Sequence, residues 1–284
     1  MGNDKYRMHL MGDLKSIILA TDGSDFSKGA ITEGINFASA CMTRLTLLRV
    51  FEFNPEFETS GMAYVEKMEE EAGKHFDAIR DLAAEQNVEC DIVVRRSNQP
   101  YEAIVDEAKK RKADIIIMGK HGRTGLTLMM MGSQTAKTIA YSQCKVLVVP
   151  KAAEIKGENI MLATDGSKFS EAAELEAVNM AARCPFVKNF LAVSVATGKE
   201  KIAEAENNLL RVKDNCAKRG VAVETLALIG EPYKAIVNAS MESGADLVIM
   251  GSHGRTGLQR LLMGSVAERV VSLAQCSVLI SKIS

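Results

Sequence analysis

Short runs of apolar, mostly β-branched residues alternate with longer amphipathic stretches along the chain. This alternation is typical of βαβ units, which build a parallel sheet with helices on its faces. It predicts strands at residues 16–21, 45–51, 90–95, 114–118 and 145–149, and again at 159–164, 189–195, 222–228, 246–250 and 277–281. The runs are apolar throughout rather than at alternate positions, so we expect helices to cover both faces of the sheet.

The first predicted helix, between the first two strands, carries one apolar stripe. Its members recur at steps of three and four residues: Phe26, Ala30, Gly34, Phe37 and Cys41. A helix with this period buries a single face against the sheet.

The second half of the chain repeats the first. The stretch LATDGSDFS at 19–27 matches LATDGSKFS at 162–170 in eight of nine positions, and ADIIIMGKHGRTGL at 113–126 matches ADLVIMGSHGRTGL at 245–258 in eleven of fourteen. Blocks repeated in the same order indicate a duplicated domain. We expect the first domain at 1–152, with a loose extension at 1–12, and the second at 153–284.

A glycine segment follows the fourth predicted strand of each half, at residues 118–133 and 250–265. Gly119 and Gly122 leave backbone amides uncovered, and Gly132 and Ser133 stand just before a predicted helix. Free amides at a helix start attract anions, and Ser133 could also cap that helix. The spacing is neither that of a P-loop nor that of the dinucleotide fingerprint. It predicts a phosphate cradle, with tight turns that hold no ligand as the alternative.

The loop ATDGS, which ends the first strand of each half, is the other duplicated loop. In open parallel sheets, ligands bind beyond the carboxyl ends of strands where the winding direction reverses. If the strand order is 3-2-1-4-5, Asp22 and the glycine segment face one crevice there. Asp22 could then accept hydrogen bonds from a ribose hydroxyl, and the alternative is that it caps the following helix.

The G-x2-G-x9-G-[ST] arrangement, the strand ending in TDGS and the wording MGSHGRTGL resemble the ATP-binding branch of the universal stress proteins. The resemblance covers the chain twice from about residue 14 onward, as in a tandem-domain member. It implies an α/β fold of two Rossmann-like domains, each an open five-stranded parallel sheet in the order 3-2-1-4-5 flanked by helices. It also implies that the last strands pair, so that the domains pack as a pseudo-dimer.

The resemblance further implies ATP or AMP in each crevice, with Mg²⁺ left open. Carried over by position, the binding residues of the first half are Ala20, Thr21, Asp22, Val50, Met118, Gly119, Lys120, Gly122, Gly132, Ser133, Gln134 and Thr135. Those of the second half are Ala163, Thr164, Asp165, Val195, Met250, Gly251, Ser252, Gly254, Gly264, Ser265 and Val266. Asp22 and Asp165 would meet the ribose, Val50 and Val195 the adenine.

Two of the carried-over binding positions depart from the family pattern, and outside them Asn98 stands where Gly230 does in the second half. Lys120 stands where the family has a serine, as at Ser252, and we expect it to add a cation near phosphate in the first site. Gln134 replaces the small apolar residue that Val266 supplies in the second.

Charge and composition narrow the classes of partner. The chain has 35 basic and 36 acidic residues among 284, so its charge favours neither nucleic acid nor an anionic membrane. The N-terminus is polar and no run of about 18 apolar residues follows, so we expect a cytoplasmic protein. Six cysteines without a CxxC pair predict packing residues rather than zinc ligands or disulfides.

The implied function is that of an adenine-nucleotide-binding stress-response or signalling protein without a dedicated catalytic site, in which nucleotide tunes conformation or partner binding. His121 and His253 could act as general bases, but no nucleophile or orienting carboxylate stands at a legible spacing. A slow ATP hydrolase or adenylate-transferring enzyme is the first alternative, and a nucleotide-free interaction module is the second. A further homodimer of the tandem chain is left open.

Overall fold

The structure, a computed structural model, describes residues 10–12, 14–52, 62–122, 130–254 and 263–283, and of residues 62–69 it describes the backbone alone. The strands of the first half are β1 Ile17–Ala20, β2 Leu45–Glu52, β3 Cys90–Ser97, β4 Ile115–Gly119 and β5 Lys145–Val149. Those of the second half are β6 Asn159–Ala163, β7 Asn189–Ala196, β8 Glu224–Ile229, β9 Leu247–Gly251 and β10 Ser277–Ser281. All ten predicted strands are confirmed, with their ends within two residues of the predicted ones.

Within each half, a helix connects every two consecutive strands. They are α1 Lys28–Ala40, α2 Met62–Ala84, α3 Pro100–Arg111, α4 Ser133–Tyr141, α5 Lys168–Arg183, α6 Ile202–Ala217, α7 Pro232–Glu242 and α8 Ser265–Leu273. The apolar stripe predicted for the first helix is confirmed in α1, where Ala30, Gly34 and Phe37 are buried. Phe26 instead lies in the short 3-10 turn before α1. Most of the predicted loose extension, residues 1–9, lies outside the described residues.

All ten strands join one sheet in the order β3-β2-β1-β4-β5-β10-β9-β6-β7-β8. Within each half the pairs are parallel, which confirms the order 3-2-1-4-5 twice. The halves meet where β5 and β10 pair antiparallel, with Leu147 opposite Leu279. Each half therefore supplies the partner for the other's last strand, and no edge is left at the seam.

The core has two layers, one on each face of the sheet. Leu19, Leu147 and Leu279 belong to one layer, and Ile18, Val146 and Val278 to the other. Side chains alternate between faces along a strand, so apolar runs supply both layers at once. Each layer contains residues from both halves, and the pseudo-dimer therefore has a continuous core.

One buried and one half-buried polar contact join the halves, through carboxylates at equivalent positions of α1 and α5. Glu33 of α1 accepts a hydrogen bond from the Ile155 amide at 3.1 Å. Glu176, the aligned residue of α5, binds the Lys145 amine at 3.0 Å.

All six cysteines are free, as predicted. In the part of the chain that the structure describes, no helix combines the length and the apolarity needed to span a membrane.

Candidate functional site

Each half contains one crevice at the carboxyl ends of its two central strands. The first crevice, beyond β1 and β4, has a volume of about 460 Å³. The second crevice, beyond β6 and β9, has a volume of about 360 Å³. Both lie where the winding direction of a parallel sheet reverses, and both fall in the size range of small-molecule sites.

The predicted site residues come together at these crevices, with two exceptions. The first crevice is lined by Ala20, Thr21, Asp22, Val50, Met118, Gly119, Gly122, Gly132, Ser133, Gln134 and Thr135. The second is lined by Ala163, Thr164, Asp165, Val195, Met250, Gly251, Gly254, Gly264, Ser265 and Val266. The exceptions are Lys120 and Ser252, whose side chains take other directions.

Each aspartate of the ATDGS loop uses one carboxylate oxygen inside its own loop. Asp22 Oδ1 accepts hydrogen bonds from the Ser24 amide at 2.9 Å and the Ser27 hydroxyl at 3.1 Å. Asp165 Oδ1 likewise accepts one from the Ser167 amide at 3.0 Å. These bonds fix the turn and hold the carboxylate at the rim of the crevice.

The other carboxylate oxygen lies against the glycine segment. A Cβ built on Gly122 would come within 3.0 Å of Asp22 Oδ2, and one on Gly254 within 2.7 Å of Asp165 Oδ2. Real Cβ atoms do not approach a heavy atom more closely than about 3 Å without displacement. Glycine at these positions therefore lets the loop backbone run directly beside the aspartate.

Gly119 and Gly251 allow a second close contact, between the backbone of each glycine and a phenylalanine carbonyl oxygen. A Cβ on Gly119 would lie 2.9 Å from the Phe26 carbonyl oxygen, and one on Gly251 would lie 2.6 Å from that of Phe169. The glycines thus allow the end of β4 to pack on the 3-10 turn that precedes α1, and the end of β9 to pack on the first turn of α5.

The helices α4 and α8 begin at the crevices with their first amides uncapped by any described side chain. Gly132 and Gly264, in extended backbone, are the N-cap residues. Ser133, suggested by the sequence as a cap, is instead the first helical residue, so its hydroxyl does not occupy the cap position. Helix amides left without a partner in this way form a ready-made anion site.

A backbone bond closes each glycine segment at its base. The Gly132 amide donates to the Lys120 carbonyl oxygen at 3.0 Å, and the Gly264 amide donates to that of Ser252 at 3.0 Å. The segment thereby returns to the strand it left, which aims the helix start at the carboxyl end of β1 or β6.

The opposite wall of each crevice is apolar. Val50 and Val195 are equivalent, because each lies two residues beyond the strand partner of Ala20 or Ala163. The sequence interpretation missed Pro100 and Ile104 in the first crevice, and Pro232 and Ile236 in the second. The repeated blocks QPYEAIV and EPYKAIV were the signal that could have found them. An apolar slot facing amides suits a ligand with a flat apolar end and an anionic tail.

The two crevices differ in polarity. Arg49 lines the first crevice, is only 2% exposed, and places its guanidinium 4.7 Å from the centre of the Phe51 ring. Gln134 accepts a hydrogen bond from the Tyr101 amide at 3.0 Å. In the second crevice the aligned positions carry Ser194 and Val266. These positions therefore place no charged side chain and no amide side chain at the second crevice.

The threonines beside the two aspartates have different partners. Thr21 Oγ1 lies 3.2 Å from His75 Nε2 of α2. Thr164 Oγ1 donates to Glu174 at 2.5 Å, and Arg211 of α6 binds the same carboxylate at 2.6 Å. The rim of the second crevice is thus supported by an ion pair and that of the first by an imidazole.

Lys120 does not supply the cation expected near phosphate. Its side chain is 7% exposed, and its amine donates to the Ala274 carbonyl oxygen of the second half at 3.1 Å. A buried amine needs a hydrogen-bond acceptor, and the last carbonyls of α8 provide one. Burial lowers the pKa of the amine. Ser252 also turns aside, with its hydroxyl 3.1 Å from His253 Nδ1.

The two histidines of the glycine segments, His121 and His253, both line the crevices. Burial lowers the pKa of the His121 imidazole, and the neighbouring Lys120 charge lowers it further. The His121 ring packs edge-on against Phe26, and the His253 ring packs against Phe169. Across the described ranges, no three His, Cys, Asp or Glu side chains cluster in a way that could hold a metal ion.

Comparison with known proteins points to one family. The model of the Universal stress protein family matches residues 14–150 and again 157–282. The universal stress protein MJ0531 of Methanocaldococcus jannaschii is 36% identical over 144 residues, which cover 44% of this chain and 85% of that protein. The universal stress protein Rv2005c of Mycobacterium tuberculosis is 25% identical over 292 residues, covering 94% of this chain and 96% of that protein.

A solved structure has the same fold over most of the chain. A universal stress protein from Archaeoglobus fulgidus has the same fold, with a TM-score of 0.74 at 18% identity, over 94% of this chain and 98% of that one. The chain is therefore a member of the universal stress protein family, with the family's domain present twice in tandem.

Proposed function

We propose that this protein binds an adenine nucleotide, ATP or AMP, in each crevice and responds to it as a cytoplasmic stress-response or signalling protein. The observation that carries the proposal is the paired cradle. In both halves, uncapped helix amides face an aspartate that only a glycine backbone can approach so closely. The six free cysteines are typical of a reducing compartment.

The ligand divides between the two walls of the crevice. Its phosphates would lie at the starts of α4 and α8, where Gly132 and Ser133, or Gly264 and Ser265, present main-chain amides. Its ribose would meet Asp22 or Asp165.

The adenine would enter the apolar slot. Val50 and Met118 line that slot in the first crevice, and Val195 and Met250 line it in the second. The main-chain amides would bind the negatively charged phosphates, and the apolar slot would fit the flat adenine ring. Nucleotide occupancy would then shift the balance between conformers that differ in their affinity for a partner.

Binding is tested by calorimetric titration of nucleotide-stripped protein with ATP and with AMP, each with and without Mg²⁺. We expect two sites per chain. Replacing Gly132 by Val should abolish the first site and replacing Gly264 by Val the second, because a branched side chain at a helix start obstructs the anion. Gly73→Ala is the matched control, since a Cβ there meets nothing within 4 Å. No heat with either nucleotide would overturn the proposal.

Mass spectrometry of freshly isolated, denatured protein separates the alternatives. Adenine nucleotide in the sample excludes a nucleotide-free interaction module. Multiple-turnover phosphate release that survives rigorous purification and disappears in the Asp22→Ala, Asp165→Ala double variant would favour an ATP hydrolase instead.

A further inference from the structure

Lys120 connects the first crevice to a helix of the second half. It directly follows Gly119, which lines the first crevice, and its amine donates to the Ala274 carbonyl oxygen at 3.1 Å. Ala274 is the C-cap residue of α8, and the first residue of α8, Ser265, lines the second crevice. One side chain thus spans from the anion loop of one site to the helix that serves the other.

A second contact joins the same two elements. The Met131 amide, near the end of the first glycine segment, donates to the Ser272 hydroxyl of α8 at 3.3 Å. The segment itself is closed by the bond from the Gly132 amide to the Lys120 carbonyl oxygen. The first glycine segment therefore contacts the C-terminal end of α8 twice, through Lys120 near its start and through Met131 near its end.

The reverse connection is built differently. Ser252 occupies the position aligned with Lys120, and its hydroxyl bonds to the neighbouring His253 ring instead of reaching α4. The last turn of α4 is approached by Lys282, whose amine donates to the Ile139 carbonyl oxygen. Lys282 follows β10 and belongs to no glycine segment. Among the described residues the two helices thus have similar C-terminal contacts, but only the contact on α8 comes from a residue of a glycine segment.

We propose that Lys120 is a positioning residue for the second crevice, through which a nucleotide in the first crevice raises the affinity of the second. The proposal rests on the proposed function. Phosphate bound at Gly119 and Gly122 would hold the backbone that carries Lys120 and so hold the end of α8. Because α8 has only nine residues, fixing its end would restrict the amides at its start. The second nucleotide then loses less entropy on binding.

Coupling is measured by comparing second-crevice affinity with the first crevice open and closed. Val50→Trp fills the first apolar slot on β2, away from α8, and Val195→Trp is its counterpart on β7. We expect the second site to bind ATP about fivefold more weakly in Val50→Trp than in the unmodified chain, a coupling at the low end of known values. In the Lys120→Ser background the same comparison should show no difference.

Lys282→Ser is the matched control. It also removes an amine from a helix C-terminus at the seam, so loss of stability alone would affect it equally. We expect it to keep the fivefold difference. Coupling that persists in Lys120→Ser, or that disappears equally in Lys282→Ser, overturns the proposal.

Hydrogen exchange without nucleotide separates failure of this proposal from failure of the proposed function. Lys120→Ser should speed amide exchange both in α8 and in residues 118–122, whereas Lys282→Ser should affect the last turn of α4 and neither of these. If neither crevice binds nucleotide but this exchange pattern is seen, the proposed function fails and the positioning role of Lys120 stands. Unchanged exchange in α8 of Lys120→Ser refutes the positioning role whatever the nucleotide result.

Discussion

Asp165 lies against Gly254 more tightly than its counterpart Asp22 lies against Gly122. A Cβ on Gly254 would be 2.7 Å from Asp165 Oδ2, whereas one on Gly122 would be 3.0 Å from Asp22 Oδ2. The first distance forces a displacement, and the second is at the limit that a small shift can absorb. Glycine to alanine should therefore disturb the aspartate more at position 254 than at position 122.

We predict that Gly254→Ala weakens nucleotide binding in the second crevice by about tenfold, or about 1.4 kcal/mol. Gly122→Ala should weaken the first crevice by about threefold, because Asp22 has to move less. Calorimetry with the other crevice closed by Val50→Trp or Val195→Trp measures each site alone. Equal losses in the two crevices would mean that the aspartate contact does not set the affinity.

The fold could be predicted almost completely because its signals are local. Apolar runs of five to seven residues predicted the strands, and the duplication supplied each of them twice. The pairing of β5 with β10 also followed, since both are apolar final strands that need a partner.

The candidate site could be predicted wherever a motif residue points into its own loop. The direction of the Lys120 side chain could not be predicted, because its partner Ala274 is 154 residues away in the other half. The presence of Arg49 in the first crevice could not be predicted either, because strand alternation places its side chain on the face opposite Val50. Only the folded ATDGS loop brings its guanidinium close to Gly23 and thereby to the first crevice.

Gly29 of α1 provides a test of how closely α1 packs on the end of β5. A Cβ there would overlap the Pro150 carbonyl oxygen and approach Val149 Cγ1 to 3.0 Å. We predict that Gly29→Ala lowers the free energy of unfolding by about 2 kcal/mol through overpacking. Urea denaturation followed by circular dichroism measures it.

Gly34 in the same helix is the matched control for Gly29. Its Cβ would meet the Leu19 side chain at 3.5 Å, an ordinary contact. Gly34→Ala should therefore stabilise the protein by about 0.5–1 kcal/mol, as expected when a helical glycine becomes alanine. A destabilisation of similar size in both variants would contradict the steric explanation.

Arg211 neutralises a carboxylate that the fold buries at the rim of the second crevice. Glu174 is 3% exposed in its side chain and receives both Arg211 and the Thr164 hydroxyl. We predict that Arg211→Met lowers the free energy of unfolding by about 2 kcal/mol, because it leaves a buried charge without its cation. The double variant Arg211→Met, Glu174→Met should recover most of that loss.

The exposed pair of Arg269 and Glu231 is the control for this ion pair. Their side chains are 57% and 43% exposed, so Arg269→Met should cost about 0.5 kcal/mol or less. If Arg211→Met and Arg269→Met lower the free energy of unfolding equally, burial of Glu174 does not strengthen the contribution of its ion pair to stability.

Lys282 should make stability depend on alkaline pH. Burial lowers the pKa of its amine to about 8, below its ordinary value of 10.5. The unfolded chain therefore binds more protons than the folded chain between these two values, and stability rises with pH across that window. Below about pH 8 the full cost of keeping the amine charged is present, on the order of 3 kcal/mol.

Lys282→Met removes this titration. We predict that the stability of the variant relative to the unmodified protein falls as pH is raised from 7 to 10, because the unmodified protein gains stability as its amine loses the proton. Urea denaturation at intervals of one pH unit measures the difference. Lys213→Met, at an exposed lysine of α6, controls for the loss of one positive charge. A difference between Lys282→Met and the unmodified protein that stays constant over this window would show that the amine keeps its ordinary pKa and that the Ile139 carbonyl compensates for its burial.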